Sequence, residues 1–238
     1  MSQLIKANAA NVRFEGVSKI YGKDAIAVGG IDLDVEAGTL VTLLGPSGCG
    51  KTTTLRMIAG LELPTSGKIF VGDEDVTDLP ATQRDIAMVF QSYALFPHMS
   101  VQENIAYGLE NSRMPRNEIL ERTALGMDLV GLKGFEKRLP SELSGGQQQR
   151  VAVARAIVLE PQVLLFDEPL SNLDAKLRRQ VREEIRELQI SLGLTVVYVT
   201  HDQEEALAVS DKIVVMDKAK IAQIGSPLDL YERPNSVF

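Results

Sequence analysis

The feature that most constrains this chain is the run "GPSGCGKT", Gly45 to Thr52. It is set between the apolar stretch "TLVTLL" and the helix-like stretch "TTLRMIAGLE". The spacing is G-x-x-x-x-G-K-[ST], and it demands a strand entering the turn and a helix leaving it. Such a turn wraps an anion. In the turn Gly45, Pro46, Ser47, Gly48, Cys49 and Gly50 the backbone N–H groups, of which Pro46 has none, are free to point inward. The helix that follows, through Lys51, Thr52 and Thr53, directs its positive end at the same point. Lys51 adds a full charge, and the Thr52 hydroxyl is a Mg²⁺ ligand of the right hardness. Cys49 reads as a filler of a variable slot. The sharper alternative is a thiol whose labelling would block nucleotide.

The rest of the chain supports a sheet around that turn. To about Gln91 it is strand-rich: "VRFEGVSKIYG" and "GGIDLDVEAGTLVTLLG" alternate and are broken by glycines, and "GKIFVGDEDV" follows. From Ser92 to about Glu160 the pattern turns helical, in "VQENIAYGLENS", "RNEILERTALGMDLVGL" and "SGGQQQRVAVARAIVLE". Alternation then returns. "QVLLFD", "LTVVYVT" and "KIVVMD" read as strands. Between them lie "DQEEALAVS" and a helix with Leu177, Val181, Ile185, Leu188 and Leu192 along one face. Strand–helix–strand order with short links implies a mainly parallel sheet covered by helices. The expected class is α/β, with an antiparallel β portion at the amino end and a helical insertion at 92–160 between core segments 1–91 and 161–238.

Composition narrows the partners. A formal net charge of -7 repels a nucleic-acid backbone, and aromatics at 5% with no Trp give no base-stacking platform, so no nucleic acid is expected. One cysteine, Cys49, permits no internal disulfide and fits a reducing, cytoplasmic setting. "MSQLIKANAANVRF" lacks a signal peptide's apolar stretch, and no run approaches a membrane span. Any service to a membrane has to pass through a partner.

Two further stretches carry chemistry. "VLLFDE" ends an apolar strand in Asp167 and Glu168, at the sheet edge where open α/β folds bind ligands. Asp167 is placed to share a Mg²⁺ shell with Thr52. Glu168 points elsewhere and suits polarising a water for attack on a γ-phosphate. Pro169 ends the strand. "LSGGQQQR" opens another helix with Ser144, Gly145, Gly146 and Gln147. A hydroxyl, bare amides and a helix dipole there form either a second anion site or a plain N-cap.

"LSGGQ" followed by "VLLFDEP", with the glycine turn upstream, resembles the nucleotide-binding subunit of ABC transporters, over essentially the whole chain. The resemblance implies a P-loop NTPase core that binds ATP and Mg²⁺ and hydrolyses ATP. It also implies a head-to-tail homodimer in which Ser144 of one copy clasps the nucleotide held by the other's glycine loop. It gives Tyr21 as the adenine-stacking aromatic, Gln91 as the glutamine sensing Mg²⁺ and water, and "SNLD", Ser171 to Asp174, as the loop crossing the dimer interface. His201 matches the histidine at the γ-phosphate. Asn172 stands where the family often has Ala. "QSYALFPHMSVQENI" is expected to expose Tyr93, Leu95, Phe96, Pro97 and Met99 to a permease's coupling helix. "DLPATQRDIAMVFQSYALFPHMSVQENI" and "GSPLDLYERPNSVF" look most like importers fed by a periplasmic solute-binding protein, of the polyamine, ferric iron, sulfate, sugar or phosphonate branch. The ATPase would then sit peripherally on the cytoplasmic face of the inner membrane. Members of that branch continue past "YERP" into a small β-rich domain, so this chain is expected to be a shortened form of one. The rival, a soluble DNA-repair or translation ATPase of the family, typically has two units or a long coiled coil, and neither is seen here.

Overall fold

The computed structural model describes residues 8–235. The first half of the amino-terminal stretch read above, residues 1–7, and the final residues 236–238 lie outside the described residues. Along the chain run strands β1 (Val12–Tyr21), β2 (Ala25–Val35) and β3 (Leu40–Leu44), helix α1 (Lys51–Ile58), and strands β4 (Ser66–Val71), β5 (Glu74–Asp75) and β6 (Ile86–Val89). Helices α2 (Val101–Asn111), α3 (Arg116–Leu129) and α4 (Gly145–Ile157) follow. Then come β7 (Val163–Asp167), α5 (Ala175–Leu192), β8 (Val196–Thr200), α6 (Gln203–Val209), β9 (Lys212–Asp217), β10 (Lys220–Gly225) and α7 (Pro227–Glu232).

The strands form two sheets. One is antiparallel, in the order β2-β1-β4-β5; the other runs β10-β9-β3-β8-β7-β6. In the second, β9, β3, β8, β7 and β6 are parallel and β10 is an antiparallel edge. The parallel strands are apolar throughout because both faces are covered. Val41, Leu43, Val163, Leu165, Val197 and Val199 face the core shared with α1 and the antiparallel sheet. Their neighbours Leu40, Leu164, Phe166, Val196 and Tyr198 face α4 and α5. The period of two thus sorts each strand between two cores.

Helix α4 serves both sides of its own surroundings. Ala152, Val153, Ala156 and Ile157 pack toward the sheet. Val151, Ala154 and Val158 pack against α2 and α3 through Ile105, Leu109 and Met127. Val181 and Ile185 of the α5 stripe are buried, and Leu177, Leu188 and Leu192 pack at its margin.

Strand β10 was not anticipated from the sequence. The turn before it carries Lys218 (φ 46°) and Ala219 (φ 64°), two left-handed residues without the Gly or Asn that normally marks such a hairpin. Tertiary contact supplies the reason: Ala219 O accepts from Gly29 N at 2.8 Å, tying the turn to β2. Among the described residues no helix is long and apolar enough to cross a membrane.

Candidate functional site

The register of the parallel ladder brings strand ends to one edge. Leu44 pairs with Thr200, Val199 with Asp167, and Phe166 with Val89. The loops that leave this edge begin at Gly45, Glu168 and His201, with Gln91 two residues past the end of β6. The glycine turn, Gln91, Asp167, Glu168 and His201 therefore lie at the carboxyl edge of the parallel strands, where α/β sheets bind ligands, whereas Tyr21 ends a strand of the other sheet and Ser144 opens α4.

The glycine turn is shaped by close approach. A Cβ on Gly45 would lie 2.2 Å from Met216 O, and one on Gly50 2.3 Å from Ala27 O. Gly50 also has φ 105° as the N-cap of α1, so it is excluded to other residues twice over. Lys51 is buried. Its Nζ donates to Gly45 O at 2.7 Å and Pro46 O at 2.9 Å, bracing the turn across its mouth. Cys49 is buried among apolar side chains, and its N–H is engaged by Pro46 O at 3.4 Å. That burial supports the filler reading and leaves the labelling alternative no exposed thiol to act on.

Thr52 donates from Oγ1 to Asp167 Oδ1 at 3.2 Å, joining the start of α1 to the end of β7. Burial pushes the Asp167 carboxyl up, and the Thr52 hydrogen bond opposes this. An oxygen-only pair whose carboxylate lacks full compensation fits a hard divalent cation that keeps waters and phosphate oxygens as its other ligands. Among the described residues no cluster of three or more His, Cys, Asp or Glu forms a metal cage.

Glu168 follows with φ 46°, a left-handed conformation for a non-glycine residue directly before Pro169. Its N–H is held by Val199 O at 3.1 Å, and its carbonyl accepts from Ser171 Oγ at 3.0 Å. From this turn the carboxylate reaches His201, its Oε2 lying 3.2 Å from His201 Nδ1. Gln91 donates from Nε2 to Ser171 Oγ at 3.0 Å, and Asn172 donates from Nδ2 to Gln91 O at 3.0 Å. Asn172, the departure from the commoner Ala, thus ties the "SNLD" loop to the Gln91 loop.

The second glycine device is built differently. Ser144 caps α4: its Oγ accepts from Gln147 N at 3.4 Å, and Gln147 Oε1 accepts from Ser144 N at 2.9 Å. Gly145 and Gly146 abut the Leu173 and Leu177 side chains, where a Cβ would come within 3.1 and 2.9 Å. The two glycines after the exposed capping serine are therefore packed against Leu173 of the "SNLD" loop and Leu177 of α5, and Asp174 of that loop caps α5 by accepting from Leu177 N at 3.0 Å. Tyr21 ends β1 with its ring 41% exposed and the Lys19 ammonium 5.1 Å from its centroid. The strand paired with it, β2, runs past Gly50.

One sequence expectation needs correcting. Tyr93 is not exposed: it is buried, and its hydroxyl has no hydrogen-bond partner. Leu95, Phe96 and Met99 are half-buried, leaving Pro97 exposed. The cause is a left-handed turn at Tyr93 (φ 62°) and Ala94 (φ 48°) that swings the ring inward. Arg155 of α4 holds this turn, donating to Tyr93 O at 3.0 Å and Ala94 O at 2.9 Å. Sequence reasoning missed Arg155. Its signal was a lone charge inside the apolar run "VAVARAIVL". Arg178, Asp202 and Glu205, which brace the loop around His201, carried no such signal.

Comparison with known proteins agrees with this geometry. The family profile described as ABC transporter matches residues 28–171. Among curated relatives, a Fe(3+) ions import ATP-binding protein FbpC of Brucella abortus (strain 2308) is 68% identical over 228 residues, covering 96% of this chain and 64% of its own length. The protein of the same name from Agrobacterium fabrum is 63% identical over 235 residues, covering 99% of this chain and 66% of its own length. The chain thus spans less than two thirds of these relatives. Among solved structures, cbiO1 from Clostridium perfringens, described as part of the ABC transporter complex cbiONQ, superposes with a TM-score of 0.87 at 28% identity, covering 93% of this chain and 90% of its own. The ATP-binding cassette MJ0796, in a post-hydrolysis dimer with ADP and Pi, superposes at 0.79 with 30% identity, covering 91% and 98%. The strand edge, the glycine turn and these likenesses lead to one assignment: the chain belongs to the ABC transporter family.

Proposed function

We propose that two copies of this chain, packed head to tail, bind and hydrolyse ATP and so drive solute import through partner permease subunits. The carrying observation is the strand edge itself. Thr52, at the start of α1, touches Asp167, at the end of β7, at 3.2 Å, and Glu168, just past β7, touches His201, just past β8, at 3.2 Å. The first pair suits a metal-bound phosphate; the second suits an activated water.

In this reading the amides of the glycine turn and Lys51 hold the phosphates, and Tyr21 offers its exposed ring to the adenine. Thr52 and Asp167, with Gln91 beside them, would hold Mg²⁺, which when bound neutralises charge on the β- and γ-phosphates. Glu168 takes the proton of a water whose oxygen bonds to the γ-phosphorus. The bond from that phosphorus to the β-bridging oxygen breaks, and its electron pair leaves with ADP. General-base assistance of this kind contributes roughly 10²–10⁴-fold. His201 orients the carboxylate and the water, and the partner's Ser144 helix end neutralises the charge that develops on the far side.

Residues 92–160 act as a helical subdomain carrying Ser144 and the permease-facing loop, set on a core of 1–91 and 161–238. The relatives' names favour ferric ion as the solute and import as the direction, and weigh against a repair or translation role. A periplasmic solute-binding protein would supply the permease. The ATPase would work at the cytoplasmic face of the membrane.

The test is Glu168→Gln in ATP and Mg²⁺, followed by light scattering and phosphate release. The expected result is a stable dimer with turnover lowered at least about 100-fold. A variant that stays monomeric at high concentration, or turns over normally, would remove the proposal's basis.

A further inference from the structure

His201 has no rigid element of its own. It sits between Thr200, the last residue of β8, and Asp202, the N-cap of α6. What fixes it is a polar group beneath the loop. Glu205 is buried at 4% exposure; its Oε2 accepts from Thr200 Oγ1 at 2.7 Å and from Tyr198 OH at 3.3 Å. Thr200 Oγ1 in turn accepts from Asp202 N at 3.0 Å. Both neighbours of His201 are thereby anchored.

Arg178, in the first turn of α5, reaches this group from the other side. Its Nη2 donates to Leu173 O at 3.1 Å, its Nη1 to Asp202 Oδ2 at 3.5 Å, and its Nε lies 3.8 Å from Glu205 Oε1. Leu173 belongs to the same turn as Ser171, whose hydroxyl binds the Glu168 carbonyl. One guanidinium therefore spans the loop that carries Glu168 and the loop that carries His201. A small cavity of about 60 Å³ lies at this junction, its lining including Glu168, Ser171, Arg178, His201 and Glu205. Glu168 and His201 meet directly at 3.2 Å, and Arg178 ties together the two loops that bring them there.

We propose that Arg178 is a positioning residue that sets His201 against Glu168, by linking the "SNLD" loop to Asp202 and Glu205. It rests on the ATPase reading only for its kinetic consequence. The geometric core is independent of turnover. Because Leu173 also abuts Gly145 of the second glycine device, a dimer forming there would be felt at His201 through this side chain.

The experiment uses the imidazole ¹⁵N signals of His201. The chain has only two histidines, so His98→Gln assigns them. In Arg178→Ala the His201 Nδ1 resonance should move, and kcat for ATP should fall about 100-fold, as for a displaced catalytic group. KM should stay within about twofold, since the glycine turn is untouched. Arg178→Lys, whose single ammonium spans at most part of the brace, should show a smaller displacement and a partial loss. It also serves if the alanine variant folds poorly. An unmoved His201 resonance in the folded variants overturns the proposal, as does a fall in kcat without that displacement. A wild-type chain that fails to hydrolyse ATP would instead sink the functional reading, leaving the resonance test standing.

Discussion

The two glycine devices are made of similar letters and held by opposite means. At Gly45 and Gly50 the obstacle to a side chain is backbone, Met216 O and Ala27 O. At Gly145 and Gly146 it is the ends of Leu173 and Leu177. Backbone in a close-packed core does not give way, whereas a leucine rotates. The first device is completed inside one chain, with Lys51 buried across its mouth. The second presents an exposed serine cap, and among the described residues the hydrogen bonds of that cap are the reciprocal pair with Gln147. The proposed sharing of a ligand between copies would use that difference, with one site finished internally and one open outward.

Substitution should separate the two most sharply at the glycines. Gly50→Ala combines φ 105° with a 2.3 Å contact to Ala27 O. It should cost about 3 kcal/mol of stability and abolish nucleotide binding, read by thermal unfolding with and without ATP. Gly145→Ala meets only a leucine methyl at 3.1 Å. It should stay within about 1 kcal/mol, since alanine also favours the helix. Equal losses in the two variants would erase the contrast.

A smaller effect is expected at the cap. Ser144→Ala removes an N-cap and should destabilise by about 1 kcal/mol. In the shared-site reading it should also lower turnover while leaving ATP affinity of the monomer unchanged. A drop in monomer affinity measured by calorimetry would place Ser144 in the first site after all.

Smaller still is Tyr93→Phe. Its buried hydroxyl has no partner, so removal should be neutral or stabilising by up to about 1 kcal/mol. A clear destabilisation in urea would mean that the ring is held through its oxygen. The least effect is expected from pH at the β4–β5 hairpin. The Thr77 hydroxyl first, then Lys68, hold the exposed Asp75 carboxyl at about 2. This group's folded value is depressed, so its contribution is complete above the ordinary aspartate range near ~3.9 and is lost as pH falls toward the folded value. Asp75→Asn should remove that part of the acid sensitivity; an unchanged acid-unfolding curve would show that the hairpin is uncoupled from global stability.

Much of the site was legible because its chemistry demands residue types at short spacing. Gly45 to Thr52, Asp167 with Glu168, and Ser144 with Gly145 each state their own local geometry. The helical stretch after Ser92 and the buried strands were legible from periodicity. Other features depend on partners distant in sequence. The hairpin at Lys218–Ala219 lacks turn residues because Gly29 of another strand secures it. Tyr93 looked like a surface anchor until the left-handed turn clamped by Arg155, far along the chain, folded it inward.

By itself the sequence determined the local devices: which stretch wraps an anion, which strand ends in carboxylates, which helix begins with a capping serine. Those depend on backbone freedom, charge and side-chain length within a few residues. The tertiary structure alone decided which of them meet. Parallel register places Leu44, Thr200, Asp167 and Val89 at one edge, and from the left-handed turn at Glu168 its carboxylate meets His201. Hydrogen-bonded ladders and packing set those meetings between residues far apart in the chain, and no short-range pattern of residue types encodes a distance across the sheet.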